Sequence, residues 1–236
     1  MTELNNRFFT VVKIDANTFS LKTREGVAVD TTGYTTYTSG GTATTPNKYP
    51  RACTFTDAGR LLFAGTIANP ATLFFSAAPS SGNTDYDDFT QGLTTATSPV
   101  TITLAAAQGK VDIIQWVSST SKYLVVGTYS TVRRVFGASE ANSVTSTDAN
   151  AKPVNAYGSA QVVPVVNGDV LFYVQRNGRR VRSFEYDLTV DGYTTIDRNL
   201  VAKHITKSGI KQLEEQQGDP DLIWAVRNDG KLSTLT

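Results

Sequence analysis

The chain has 236 residues, 40% of them hydrophobic and 18% charged, which supplies a buried core and excludes a disordered or fibrous composition. Its 22 basic and 21 acidic residues leave a net charge of +1, without the basic excess that a dedicated nucleic-acid surface usually shows. A single cysteine, Cys53, excludes an internal disulfide framework and a cysteine-based zinc cluster, while a single histidine, His204, excludes a two-histidine metal site.

Taken from the N-terminus, MTELNNRFF lacks the basic-then-apolar layout of an export signal, and apolar runs such as LLFAG and YLVV are far too short to span a membrane. Thr, Val, Tyr and Phe dominate, Gly and Pro punctuate, and no long window has a helical apolar period. The longest helix-compatible stretch, IKQLEEQQ at 210–217, is too short to stand alone. Residues 1–46 read as a small β-module: the strand RFFTVVKI, the turn Asp15-Ala16-Asn17, the strand TFSLKT, then YTTYTSGGTATTP. Pro46 and Pro50 bracket a linker, since proline resists a central strand.

Residues 47–236 carry a degenerate repeat. DVLFYVQRNG at 169–178 superimposes on DLIWAVRNDG at 221–230, and KYLVVGT at 122–128 and RLLFAGT at 60–66 share a Leu-x-x-Gly-Thr ending. Anchored on Leu62, Leu124, Leu171 and Ile223, the unit recurs at about 50 residues, which is the spacing of propeller blades. Each anchor follows an apolar strand and a turn, and three are followed by another strand, in ATLFFSA, TVRRVFGA and RVRSFEYDL. Consecutive apolar residues in LLF, YLVV, VLFYV and LIWAV fit strands buried on both faces. Asn177-Gly178 and Asp229-Gly230 predict type I′ hairpin turns. The expectation is an all-β chain of β-propeller-like blades, with the fourth repeat cut short at KLSTLT; a β-sandwich is the alternative.

The residue types that carry chemistry are sparse. Asp85, Asp87 and Asp88 supply calcium-type oxygens but lack the EF-hand pattern, so they read as an acidic surface turn. Glu214, Glu215, Asp219 and Asp221 read as a solvated edge that discourages strand-to-strand aggregation. His204 has no flanking nucleophile and reads as structural or interfacial. Cys53, inside ACTF, reads as a small buried hydrophobe. Arg133, Arg134, Arg179, Arg180 and Arg182 suit phosphate, but are better explained by salt bridges between blades or subunits. Tyr34, Tyr37 and Trp116 are the aromatics a glycan site would use, although Trp116 and Trp224 sit in apolar strands that suit the core. No glycine pattern supports a nucleotide. The reading therefore assigns no catalytic, cofactor-binding or metal residue.

Two resemblances add to this. FTVVKI, Asp15-Ala16-Asn17-Thr18-Phe19 with Leu21, and DTTGYTTYTSGG at 30–41 resemble the small β-domain first described in the ubiquitin-activating enzyme and found in phage tail proteins. The adenylating parts are missing, so no ubiquitin chemistry is implied. Over 47–236, the order Tyr49-Pro50-Arg51, RLLFAGT, NPATLFFSA, DYDDF, IIQWVSSTSKYLVVGT, YGSAQVVPVVNGDVLFYVQRNGRRVRSFEYDL, HIT and DLIWAVRNDG resembles the tail nozzle proteins, or tail tubular protein B, of short-tailed bacteriophages. That resemblance implies a non-enzymatic virion tail component, assembled in the host cytoplasm as a homo-oligomeric, hexameric ring around the DNA exit path. Its implied partners are the tail adaptor or connector, the tail fibre or spike proteins and, transiently, genomic DNA, with no membrane insertion. The family's chains are considerably longer, so a fragment or split product is expected. A receptor- or glycan-binding propeller and a propeller enzyme are the rival expectations.

Overall fold

The computed structural model describes all residues except 1–2, 5–6, 8, 16–17, 24–25, 37–48, 80–85, 91–94, 106–111, 121–122 and 236. Ala16, Asn17, Tyr37, Pro46 and Asp85, named above, lie outside the described residues. The fold is all-β, with seventeen strands and no helix among the described residues. The chain divides into two compact units, Met1–Pro46 and Asn47–Thr236.

In the first unit, β1 (Thr10–Lys13) pairs antiparallel with β2 (Phe19–Lys22), Thr10 opposite Lys22. Their turn is fixed by the Asp15 carboxylate, which accepts the Thr18 amide at 2.8 Å. Glu3 accepts both the amide and the hydroxyl of Thr35, at 3.0 and 2.9 Å, and these bonds hold its pKa below the usual carboxylate range. Val11, Ile14, Phe19 and Val27 are all exposed.

The second unit is four antiparallel meanders in chain order, the topology of propeller-like blades. The first blade holds β3 (Ala52–Phe55), β4 (Leu61–Ala64), β5 (Thr72–Phe75) and β6 (Val100–Thr103). The second holds β7 (Ile114–Ser119), β8 (Leu124–Thr128), β9 (Val132–Phe136) and β10 (Asn150–Asn155). The third holds β11 (Val165–Asn167), β12 (Val170–Val174), β13 (Val181–Asp187) and β14 (Gly192–Asp197). The fourth holds β15 (Ile210–Gln216), β16 (Leu222–Arg227) and β17 (Leu232–Leu235). The four anchors occupy the second strand of each blade, and IKQLEEQ is a strand.

The core is three clusters, one in each joint between consecutive blades. Leu62, Ala64, Leu73 and Phe75 meet Ile114, Val117, Leu124 and Val126 in the first joint. Trp116, Val125 and Val132 meet Leu171, Tyr173 and Phe184 in the second. Val165, Val174 and Val181 meet Leu213, Ile223 and Ala225 in the third. All five residues of β8 are buried because alternate side chains enter different joints. A β-bulge between Ile114 and Trp116 flips the pleat, so that Ile114 points to the first blade and Trp116 to the third. The Leu-x-x-Gly-Thr match aligns equivalent strands but not equivalent faces: Leu62 points forward into the first joint, Leu124 backward into the same one.

Two local readings need correction. Gly178 and Gly230 have φ of 72° and 78°, yet Asn177 and Asp229 are not in the left-handed region, so neither turn is type I′. The Gly178 amide donates to Gln175 O at 2.8 Å and the Gly230 amide to Arg227 O at 3.1 Å, as in a type I turn closed by a left-handed glycine. Cys53 is exposed, not buried. It sits on β3 between Ala52 and Thr54, which face the first joint, so alternation sends its side chain the other way.

Candidate functional site

The arginines of the basic set are mostly committed within the fold. Arg133 Nη2 donates to Asp112 Oδ2 at 3.0 Å and to Ala105 O at 2.7 Å, with both charged side chains buried. Asp112 also accepts Thr131 Oγ1 at 2.9 Å and the Ser130 amide at 3.2 Å, which ties the β8–β9 turn to the segment leading into β7. Arg134 pairs with Glu140, whose pKa is held down by the Lys152 hydrogen bond and the Arg134 charge. Arg180 pairs with Asp197 at 2.6 Å. These ion pairs lie within single blades and their connections rather than between blades. Charged contacts across the second joint include two cation–π ones, Arg134 lying 4.2 Å from the Tyr193 ring centroid and Arg176 5.1 Å from that of Tyr129. Arg182 likewise covers the Tyr157 ring at 3.6 Å, while Arg179 is exposed.

Arg60 carries no signal in the sequence and is 2% exposed. Its guanidinium donates to Ser76 O, Ser98 O and Ala96 O at 2.7, 2.8 and 2.6 Å, and so clasps both ends of the long β5–β6 connection. Burial lowers its pKa from the usual guanidinium range.

The other singled-out residues do not converge. Glu214, Asp219 and Asp221 are exposed, and Glu215 is half-buried. Asp87 and Asp88 lie within the β5–β6 connection, and His204 is exposed in the β14–β15 connection. Tyr34 is half-buried in the first unit. Trp116 is core, its ring 5.7 Å from that of Tyr173, and burial pushes the Tyr173 and Tyr123 hydroxyls up to about 12. Trp224 is only half-buried and points away from the third joint, its Nε1 donating to Gln216 Oε1 at 2.8 Å. No group of three metal-ligating side chains occurs among the described residues.

Cavities lined by the described residues include two of about 30 and 60 Å³, against the roughly 300–1,000 Å³ of a small-molecule site. The surfaces that offer binding area are the outer faces of the terminal blades. On the first blade, alternation presents Cys53, Phe55, Phe63 and Phe74, with Phe89 stacked on Phe63 at 5.3 Å and Tyr86 edge-on to Phe55 at 5.5 Å. On the fourth, Leu222, Trp224, Val226 and Leu232 share the face opposite the third joint. Phe55 and Leu232 on these faces are 55% and 62% exposed.

No protein-family model matches the chain, and no curated protein matches it. Among solved structures it is similar to a crystal structure of a protein from Lactobacillus plantarum, with 13% identity, 97% of this chain and 80% of that chain covered, and a TM-score of 0.37. A likeness that slight carries no argument about fold or function.

Proposed function

We propose that the chain is a structural component of a bacteriophage tail, a nozzle or hub subunit that forms part of a ring-shaped homo-oligomeric conduit for DNA ejection. The observation that carries this reading is the series of blades ending in two apolar faces. A joint in this fold is made when the forward face of one blade meets the backward face of the next, and Phe55 on the backward face of the first blade and Leu232 on the forward face of the fourth are exposed. Subunits that present complementary faces of this kind associate head to tail, and head-to-tail contacts that close by rotation give a ring. The motif order from Tyr49 to Gly230 that resembles tail nozzle proteins supplies the setting. The test is electron microscopy of purified particles labelled with antibody against this chain. Label on the tail axis is the expected result; label on the capsid shell, or particles that lack the chain, overturns the reading.

A further inference from the structure

The chain enters the first strand of every blade at the same end, so the turns of the second unit sort into two sets. At the near end lie the connections between blades and the β4–β5, β8–β9, β12–β13 and β16–β17 turns; at the far end lie the others. Backbone bonds join neighbouring blades along the near end: Ile114 N to Pro70 O at 2.9 Å, Ser159 N to Thr128 O at 2.8 Å and Ile210 N to Gly178 O at 2.8 Å. Far-end contacts do the same, Ser143 Oγ donating to Asp57 at 2.6 Å and Tyr123 OH to Asp169 O at 2.7 Å.

The charges sort with the turns. The far-end turns and connections carry Asp57, Asp87, Asp88, Glu140, Asp148 and Asp169, followed by Asp187, Asp191, Asp219 and Asp221. Their one described cation is Arg60, which is buried on carbonyls. The near end is the reverse. Arg176 and Arg179 stand in the β12–β13 turn, Lys203, His204 and Lys207 in the β14–β15 connection, and Lys231 just after the β16–β17 turn, all exposed. Among the described residues the near-end acids are Asp112, Asp197 and Asp229, and each is bound by an arginine of that same end, Arg133, Arg180 and Arg227. A net charge of +1 thus conceals a basic end and an acidic end.

Exposed tyrosines accompany the cations. Tyr129 is 53% and Tyr157 44% exposed at the near end, and arginines already lie over their rings, Arg176 at 5.1 Å and Arg182 at 3.6 Å. Arginine, lysine and tyrosine hydroxyl are the groups that contact nucleic-acid phosphates without regard to sequence.

We infer that the near end of the blades is a DNA-contacting surface, binding the phosphates of duplex DNA through Arg176, Arg179, Lys203, Lys207 and Lys231, with Tyr129 and Tyr157 alongside. This extends the conduit reading by naming the surface that meets the DNA. The acidic end of a second copy is the less favoured occupant, because several far-end carboxylates are engaged by their own turns. Asp88 accepts the Thr90 amide at 2.9 Å, Asp187 the Thr189 amide at 2.8 Å and Asp221 the Gly218 amide at 2.9 Å. The near-end lysines have no carboxylate partner among the described residues.

The test is fluorescence anisotropy of a labelled 30-base-pair duplex of mixed sequence (about 30, long enough to span a footprint of several phosphates) titrated with the whole chain. Binding should weaken about a thousandfold between about 50 and 200 mM salt, as expected for roughly six phosphate contacts. The triple variant Arg179→Glu, Lys203→Glu, Lys207→Glu should keep its circular dichroism, lose more than about 100-fold in affinity and show a salt slope shallower by about 3. A double variant at the far end, Asp148→Lys with Asp221→Lys, should keep the wild-type slope. Absence of binding at low salt, or equal binding by the triple variant, overturns the inference. So does salt-sensitive self-association without DNA binding, since the basic end would then meet the acidic end of another copy. None of these outcomes moves the antibody label on the particle, so this inference and the tail assignment fail separately.

Discussion

Asp112 and Arg133 form a pair whose worth depends on both being present. Each is buried, and Asp112 also organises the hydroxyls of Ser130 and Thr131 at the β8–β9 turn. Removing the carboxylate strands a guanidinium out of water, so Asp112→Ala should destabilise the second unit by about 3–5 kcal/mol. Adding Arg133→Met to that variant should recover much of the loss, because the orphaned charge goes with it. Denaturant midpoints at constant slope measure both, and a double variant no more stable than Asp112→Ala would refute the pairing. The pairing was not legible in the sequence. Asp112 stands between Val111 and Ile113 in an ordinary apolar approach, and Arg133 was noticed for its charge and not for a partner at long separation. Arg60 was hidden in the same way, since its ligands are backbone carbonyls that leave no sequence signature. Cys53 was misread for a different reason: ACTF is apolar enough to look buried, and only its place on the outermost blade shows which half of the alternation lacks a neighbour.

At the scale of a strand, glycines that look alike in sequence separate by surroundings. A Cβ on Gly127 would lie 2.1–2.5 Å from the Trp116 indole, which rests against the β8 backbone in the second joint. Gly178, with φ 72°, meets nothing within 4 Å. Gly127→Ala should therefore displace Trp116 and cost about 1–3 kcal/mol through overpacking, with a changed near-ultraviolet dichroism. Gly178→Ala should cost about 1–2 kcal/mol from the left-handed backbone and leave the aromatic signal intact. An unchanged aromatic signal in Gly127→Ala would contradict the packing described here. The buried second strands were legible because LLF, YLVV, VLFYV and LIWAV need apolar neighbours on both faces. The bulge at Ile114–Trp116 was not, because one extra residue in a strand leaves composition and spacing almost untouched while reversing which blade a tryptophan serves. The turn type also escaped: Asn-Gly and Asp-Gly favour type I′, but the longer loops, four residues between Gln175 and Arg180 and three between Arg227 and Lys231, let a type I turn with one left-handed glycine suffice.

In the second unit, each core cluster of described residues joins two blades consecutive in the chain, so stability is built joint by joint, as in repeat proteins. The repeat spacing made that architecture readable. The separation of charge was not readable, because successive turns fall at opposite ends and so alternate in sign along the chain. Asp187 and Asp191 precede Lys203 and Lys207, which precede Asp219 and Asp221, which precede Lys231. Any window longer than one hairpin averages them to nothing, and only the strand order sorts them. One outcome concerns chromatography rather than partners. A resin meets a face of a particle and not its sum, so at neutral pH and low ionic strength the chain should adhere to sulfonate beads by one pole and to quaternary-amine beads by the other, despite a formal charge of +1. Free passage through either column would mean that the pole concerned is masked, and the pole that fails to hold would identify which end.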